Sequence, residues 1–228
     1  MKPTFAVLGL GLALAACSQP AMQNSQAGAP AAAPAAATPA PIDVPAGDYK
    51  LDPLHSTVLF RADHLSFSKY VGRFETFDAS LHFDPKAPET STVEVTVDPS
   101  SLGVPNPPPG FLDDLRGPQW LDVKQFPAIT FKSTRVEVTG PRTARITGDF
   151  TLHGVTKPLV LETTFNGGYA GHPMEPRARI GFSATGKIKR SDYGMATGIP
   201  APGTTMGVGD TVEIAIETEF SGPPQAKP

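Results

Sequence analysis

The chain carries a single cysteine, Cys17, among 228 residues, so no intramolecular disulfide can form and any domain must be held by its core alone. Charge is sparse: Asp, Glu, Lys and Arg make up 18% of the chain, for a formal net charge of -3. Lys and Arg are scattered rather than striped, which argues against a nucleic-acid partner. The apolar run Phe5 to Ala13 is too short to cross a bilayer as a stable span. The motifs G-x-S-x-G and H-E-x-x-H are absent, removing the most direct signals of a serine hydrolase or a zinc protease. Helical periodicity is scarce, and no repeat of 20 to 50 residues is visible. What is plentiful is phenylalanine, 13 in all, together with period-two alternation.

The N-terminus has its own pattern. Lys2 precedes the apolar run, which ends in Leu14-Ala15-Ala16-Cys17. These four residues resemble the lipobox of bacterial lipoprotein signals. The resemblance implies that residues 1–16 are a removable signal peptide and that Cys17 is acylated and anchors the chain to a membrane. A short buried helix with an ordinary Cys17 is the alternative. Ser18 is similar to signals that permit outer-membrane sorting. The implied location is therefore the bacterial periplasm, with the outer membrane favoured over the inner. Residues 17–46 form the lipidated cysteine and an Ala/Pro-rich linker with PAAAPAAATPAP at its centre. Such a tract cannot bury enough apolar surface to offset its ordering entropy, so it is expected to be disordered. Residues 47–222 have the size of one domain, and 223–228 read as a disordered tail.

Within the domain the expected fold is all-β. Val212, Ile214, Ile216 and Phe220 alternate with Glu213, Glu217 and Glu219, and Val93, Val95 and Val97 alternate with Glu94, Thr96 and Asp98. Ile180, Phe182, Ala184 and Ile188 behave likewise. This is the signature of antiparallel strands with one face in a core. Two segments change parity, between Phe74 and Phe77 and between Phe131 and Val136. A one-residue slip reverses the faces, so a bulge or bend is predicted at each. Phe111 to Leu115 and Trp120 to Val123 suit a helical turn or two. The run Val104 to Gly110, with four prolines, cannot enter a central strand, and Ser191 to Gly209 is a second long loop.

The segment LHSTVLFRADHL, Leu54 to Leu65, resembles a catalytic or metal cluster at first sight. As a strand it places His64 inward and Asp63 outward, so the two cannot form a dyad. His82 faces outward, and His153 and His172 sit in turns, so zinc binding, which takes three or four ligands, would require scattered histidines to converge. His64 is expected to be hydrogen-bonded inside the barrel, or to anchor a ligand head group. Arg190 and Asp192 in KRSDYG are expected to pair and fix the start of the second loop.

Several segments then resemble one family, the YceI-like polyisoprenoid-binding proteins: YKLDPLHSTVLFRADHL, VGRFETFDASLHFD, FLDDLRGPQWLDVKQFPAITFKST, GDFTLHGVTKPLVLETTF, GKIKRSDYGM and GDTVEIAIETEF. They span nearly the whole domain in the family's order. The resemblance implies a lipocalin-like antiparallel β-barrel of about eight strands with one or two short helices, extracytoplasmic and without a catalytic role. Departures fall at Asp114, where family members often have His, at Trp120, where Phe is usual, and in the Pro105 to Pro109 run.

Phe60, Phe77, Phe131, Phe150, Phe165 and Phe182 take inward parity, and a barrel can use them to fill itself or to line a slot. With His64, Trp120, Tyr193, Met195 and Met206 they are the candidate ligand-contacting residues, the last four lying in loops that would either rim and gate the slot or simply cap the barrel end. The expected activity is non-catalytic burial of a polyisoprenoid, quinone-like, or other long-chain lipid. Bound lipid is the sole cofactor-like molecule implied and no metal is expected. The expected partners are that lipid and the membrane, with a homodimer left open. The competing readings are a metal-dependent or other hydrolase, and a structural or stress protein with a solid barrel.

Overall fold

A computed structural model describes residues 43–224. The signal segment, Cys17, the linker up to residue 42 and the last four residues lie outside the described residues. The alternating segments form ten strands: β1 (Gly47–His64), β2 (Ser68–Phe74), β3 (Phe77–Phe83), β4 (Thr92–Val97), β5 (Leu102–Gly103), β6 (Ile129–Gly140), β7 (Thr143–Leu152), β8 (Val155–Tyr169), β9 (Arg177–Lys189) and β10 (Val208–Pro224). Eight of them close an antiparallel barrel in the order β1, β3, β4, β6, β7, β8, β9, β10, with β10 pairing back onto β1. Closure leaves no open sheet edge along that circuit.

β1 explains how ten strands make an eight-stranded barrel. Gly47 to Lys50 pair with β3, whereas Val58 to His64 pair with β2 on the same side. β2 and β3 are one bent strand interrupted at Glu75-Thr76, where the parity change at Phe74 and Phe77 predicted a break. The second parity change appears as a register shift in β6 between Ser133 and Arg135.

Among the described residues the α-helix is α1 (Phe111–Arg116), while Trp120 to Val123, expected to be helical, form only hydrogen-bonded turns. The domain also extends past its predicted edges. Val44, assigned to the linker, is 7% exposed, and the Tyr49 hydroxyl donates to the Pro45 carbonyl at 2.6 Å. β10 runs to Pro224, which pairs with Arg177, so residues 223 and 224 are strand rather than tail.

Two apolar clusters divide the interior. Around Gly47, the β8–β9 loop and the end of β10, aromatic rings form a plug: Phe83 stacks on Phe165 at 5.9 Å and meets Phe182 edge-on at 5.7 Å, with Tyr49 and Phe220 beside them. At the opposite end lie the β1–β2 turn, loop 104–128 and loop 190–207, above a second cluster built on Phe131, Phe150, Leu159 and Leu161. Phe77 packs against both clusters.

Candidate functional site

The second cluster forms a wall around a cavity of about 340 Å³. Its staves are the inward-parity side chains of the strands, among them Leu161 of β8 and Val212, Ile214 and Ile216 of β10. Phe111, Leu115, Trp120 and Met195 come in from the two loops. Glycine keeps the aromatic lining flat against the wall. A Cβ at Gly72 would lie 2.3 Å from Phe60 Cζ, and one at Gly148 would lie 2.4 Å from Phe131 Cζ. The rings therefore occupy space vacated by the missing side chains instead of crossing the lumen. This is how a barrel rich in phenylalanine stays hollow.

The lining is overwhelmingly apolar, with polar side-chain atoms supplied by His64, Tyr70, Trp120, Thr130 and Arg190. Arg190 is 4% exposed. Its Nε donates to the Gly209 carbonyl at 3.0 Å, one terminal nitrogen donates to Met195 at 3.0 Å and Thr197 at 2.7 Å, and the other donates to Val208 at 2.7 Å. Its guanidinium lies 5.1 Å from the Trp120 ring centroid, a cation–π contact. Burial lowers its pKa, opposed in part by the charge of Asp210. Four carbonyl acceptors disperse the charge where a carboxylate was expected. Asp192 instead takes an exposed ion pair with Lys157 at 3.0 Å, so the anticipated Arg190–Asp192 pair does not form. Arg190 and Trp120 tie the two mouth loops together, and Thr197 Oγ1 adds a bond to Gln119 at 3.3 Å.

Of the residues singled out from sequence, Phe60, His64, Trp120, Phe131, Phe150 and Met195 line the cavity. The other five do not. Phe165 and Phe182 belong to the plug, because inward parity does not specify height along the barrel axis. They border a separate space of about 100 Å³ at the plugged end. Phe77 sits between the clusters. Tyr193 is buried behind the wall, edge-on to Phe150 at 5.6 Å, and burial raises its pKa. Met206 is 75% exposed on the rim. His64 is also exposed, at the mouth, with its ring 6.5 Å from that of Tyr70, so it is not the interior histidine anticipated. Tyr70, Phe74 and Arg190 line the cavity without being singled out for it by the sequence, where Arg190 reads only as a charge pair although it continues the even parity of Ile180 to Ile188.

The histidines do not converge. His82 meets Asp48 at 2.8 Å, His153 meets the Tyr193 carbonyl at 3.0 Å, and His172 lies beside Tyr169. His55 joins Asp52 and Glu219, a trio spaced closely enough to hold a metal ion. Arg179 already ion-pairs with both carboxylates there, supplying the positive charge a metal would bring. The hydrogen bond from His55 and the pairing with Arg179 lower the Asp52 pKa to about 2.

Comparison with known proteins agrees with this architecture. The YceI-like domain matches residues 49–220. A UPF0312 protein of Pseudomonas putida strain W619 is 34% identical over 221 residues, covering 96% of this chain and 97% of its own. One from Enterobacter sp. strain 638 is 40% identical over 154 residues, covering 67% and 78%. Among solved structures, the Campylobacter jejuni YceI protein superposes with a TM-score of 0.59 at 29% identity, covering 71% of this chain and 90% of that one. A polyisoprenoid binding domain from Saccharophagus degradans shares the fold, with a TM-score of 0.58 at 13% identity, covering 77% and 98%. By sequence match over most of its length and by the closure of its barrel, the chain belongs to the YceI-like family.

Proposed function

We propose that this protein is an extracytoplasmic binding protein, anchored through acylated Cys17, that holds a polyisoprenoid or similar long-chain lipid without altering it covalently. The observation that carries the proposal is the apolar cavity of about 340 Å³ open at one end. Pockets of roughly 300–1,000 Å³ with few polar groups are the usual size for small-molecule sites. Fully enclosed and empty, a cavity of this size would forgo roughly 8 kcal/mol of packing at ~24 cal/mol per Å³, and its open mouth makes that an upper bound. A buried tail of about ten methylene equivalents recovers a similar amount, at ~0.8 kcal/mol each, and longer isoprenoid tails leave a surplus over association costs. The description of the Saccharophagus degradans relative as polyisoprenoid-binding supports the same ligand class. Nothing in the lining is arranged as nucleophile and base.

Native mass spectrometry of protein purified from cells tests the reading. The expected spectrum carries a lipid-sized adduct that organic extraction removes and an added isoprenoid quinone restores. Ile214→Trp, which fills the lumen, should abolish the adduct while the protein stays folded. Absence of both endogenous adduct and quinone binding refutes the proposal. Membrane association undiminished in Cys17→Ser refutes the anchor.

A further inference from the structure

We propose that the β1–β2 turn, with Met206 beside it, is a bilayer-docking edge that sets the open mouth of the barrel against a lipid surface. The inference rests on the reading of the cavity and of Cys17 given above. Leu65 and Ser66 both adopt left-handed backbone, with φ of 57° and 59°, where tight hairpins ordinarily place Asn-Gly. Two side-chain-bearing residues held there mark a turn kept against its intrinsic preference. Three hydrogen bonds hold it: Ser66 N to the Asp63 carboxylate at 2.7 Å, Phe67 N to the His64 carbonyl at 2.9 Å, and Leu65 N to the Gly207 carbonyl at 3.0 Å. The product is a hydrogen-bonded turn that leaves Phe67 82% exposed, with Met206, the residue before the Gly207 carbonyl that binds Leu65, 75% exposed. The turn begins at His64, in the cavity mouth itself. Leu54 and Met174 are as exposed, but they stand on the β1 bulge and at the plugged end. Single exposed apolar residues of that kind are ordinary.

The occupant follows from where the chain leaves the barrel and how much of it remains. Asp43 precedes β1 at the plugged end, so a short tether would hold the mouth away from the membrane. Cys17 and Asp43 are 26 residues apart, a span of up to roughly 85 Å at ~3.3 Å per residue. β1, with 18 residues, measures roughly 60 Å at ~3.3 Å per residue. The tether therefore outreaches the barrel, and the mouth can turn onto the membrane that anchors it. Two apolar side chains bind a bilayer weakly by themselves, but a tether keeps them at high local concentration. Charge plays little part: Lys69, the cation beside the turn, is within 3.9 Å of Asp63 and 3.8 Å of Glu213. Docking is therefore expected to be insensitive to salt and to anionic headgroups.

The test uses the chain from Cys17 onward made without its signal, so that its one thiol stays unacylated, and couples that thiol to a maleimide phospholipid in phosphatidylcholine vesicles with brominated acyl chains. In a Trp120→Phe background, Phe67→Trp should lose more than half its fluorescence to the bromines, equally at low and high salt, whereas Met174→Trp should not. The double variant Phe67→Ser/Met206→Ser should slow lipid transfer to vesicles about tenfold while keeping its lipid adduct. Quenching of neither tryptophan, or only of that at 174, overturns the proposal. So does a dimer in the parent that the double variant dissolves, which would assign the edge to a second copy. An adduct missing from the parent counts against the cavity reading alone, since the quenching arm still reports docking.

Discussion

Phe60 rests its ring on Gly72, its cross-strand partner on β2, so closely that a Cβ there would lie 2.3 Å from the ring's Cζ. The capacity of the cavity depends on this contact as much as on any residue facing the lumen. A side chain at position 72 would push the ring into the space the ligand requires. Gly72→Val is expected to remain folded, losing about 1–3 kcal/mol through overpacking, and to lose most of its lipid adduct. Urea unfolding and native mass spectrometry read the two effects separately.

Arg190 fastens loop 190–207 to the start of β10 through four carbonyls, two from each, and meets Trp120 across the mouth. Arg190→Met retains apolar bulk but leaves those carbonyls without a donor. The expected loss is about 2–4 kcal/mol, with faster amide exchange in residues 191–207 and a red-shifted Trp120 emission. If the loops gate the cavity, lipid binding in the wild type should slow exchange in the same residues.

Phe165 lies within the plug. It stacks on Phe83, lies 5.3 Å from Phe182, and has the Arg142 guanidinium 5.8 Å above its ring. Phe165→Ala should cost about 3–5 kcal/mol and leave the lipid adduct in place. Loss of the adduct from a variant that is still folded would show that the ligand reaches into the plug.

Asp52 ties the β1 bulge to β9 through Arg179. Its pKa is lowered from 3.8 to about 2, so its stabilising contribution is complete above the ordinary carboxylate value and vanishes as the pH falls through about 2. Partial exposure limits that contribution to about 1–2 kcal/mol. Asp52→Asn should be less stable by that amount at neutral pH, and its urea midpoint should fall less than that of the wild type between pH 4 and pH 2.

Much of the fold was legible in the residues. Period two along β4, β9 and β10 specifies the inward faces, because side chains alternate across a strand whatever it pairs with. The parity reversals at Phe74 and Phe77 and within β6 specify the bends for the same reason. Pro105 to Pro109 could not donate to a ladder, and lie in a loop. What parity cannot carry is height along the barrel. Phe131 and Phe165 both point inward, yet one lines the cavity and the other fills the plug. Their level is decided by the stagger of strands far apart in the chain. The hollow, too, is a property of pairs: Phe60 lies flat only because Gly72 is opposite, and Arg190 is tolerated inside only because loop 190–207 and the start of β10 turn four carbonyls toward it. Alternation along a strand is local physics and can be read residue by residue, whereas register and ring placement exist only once the sheet has closed.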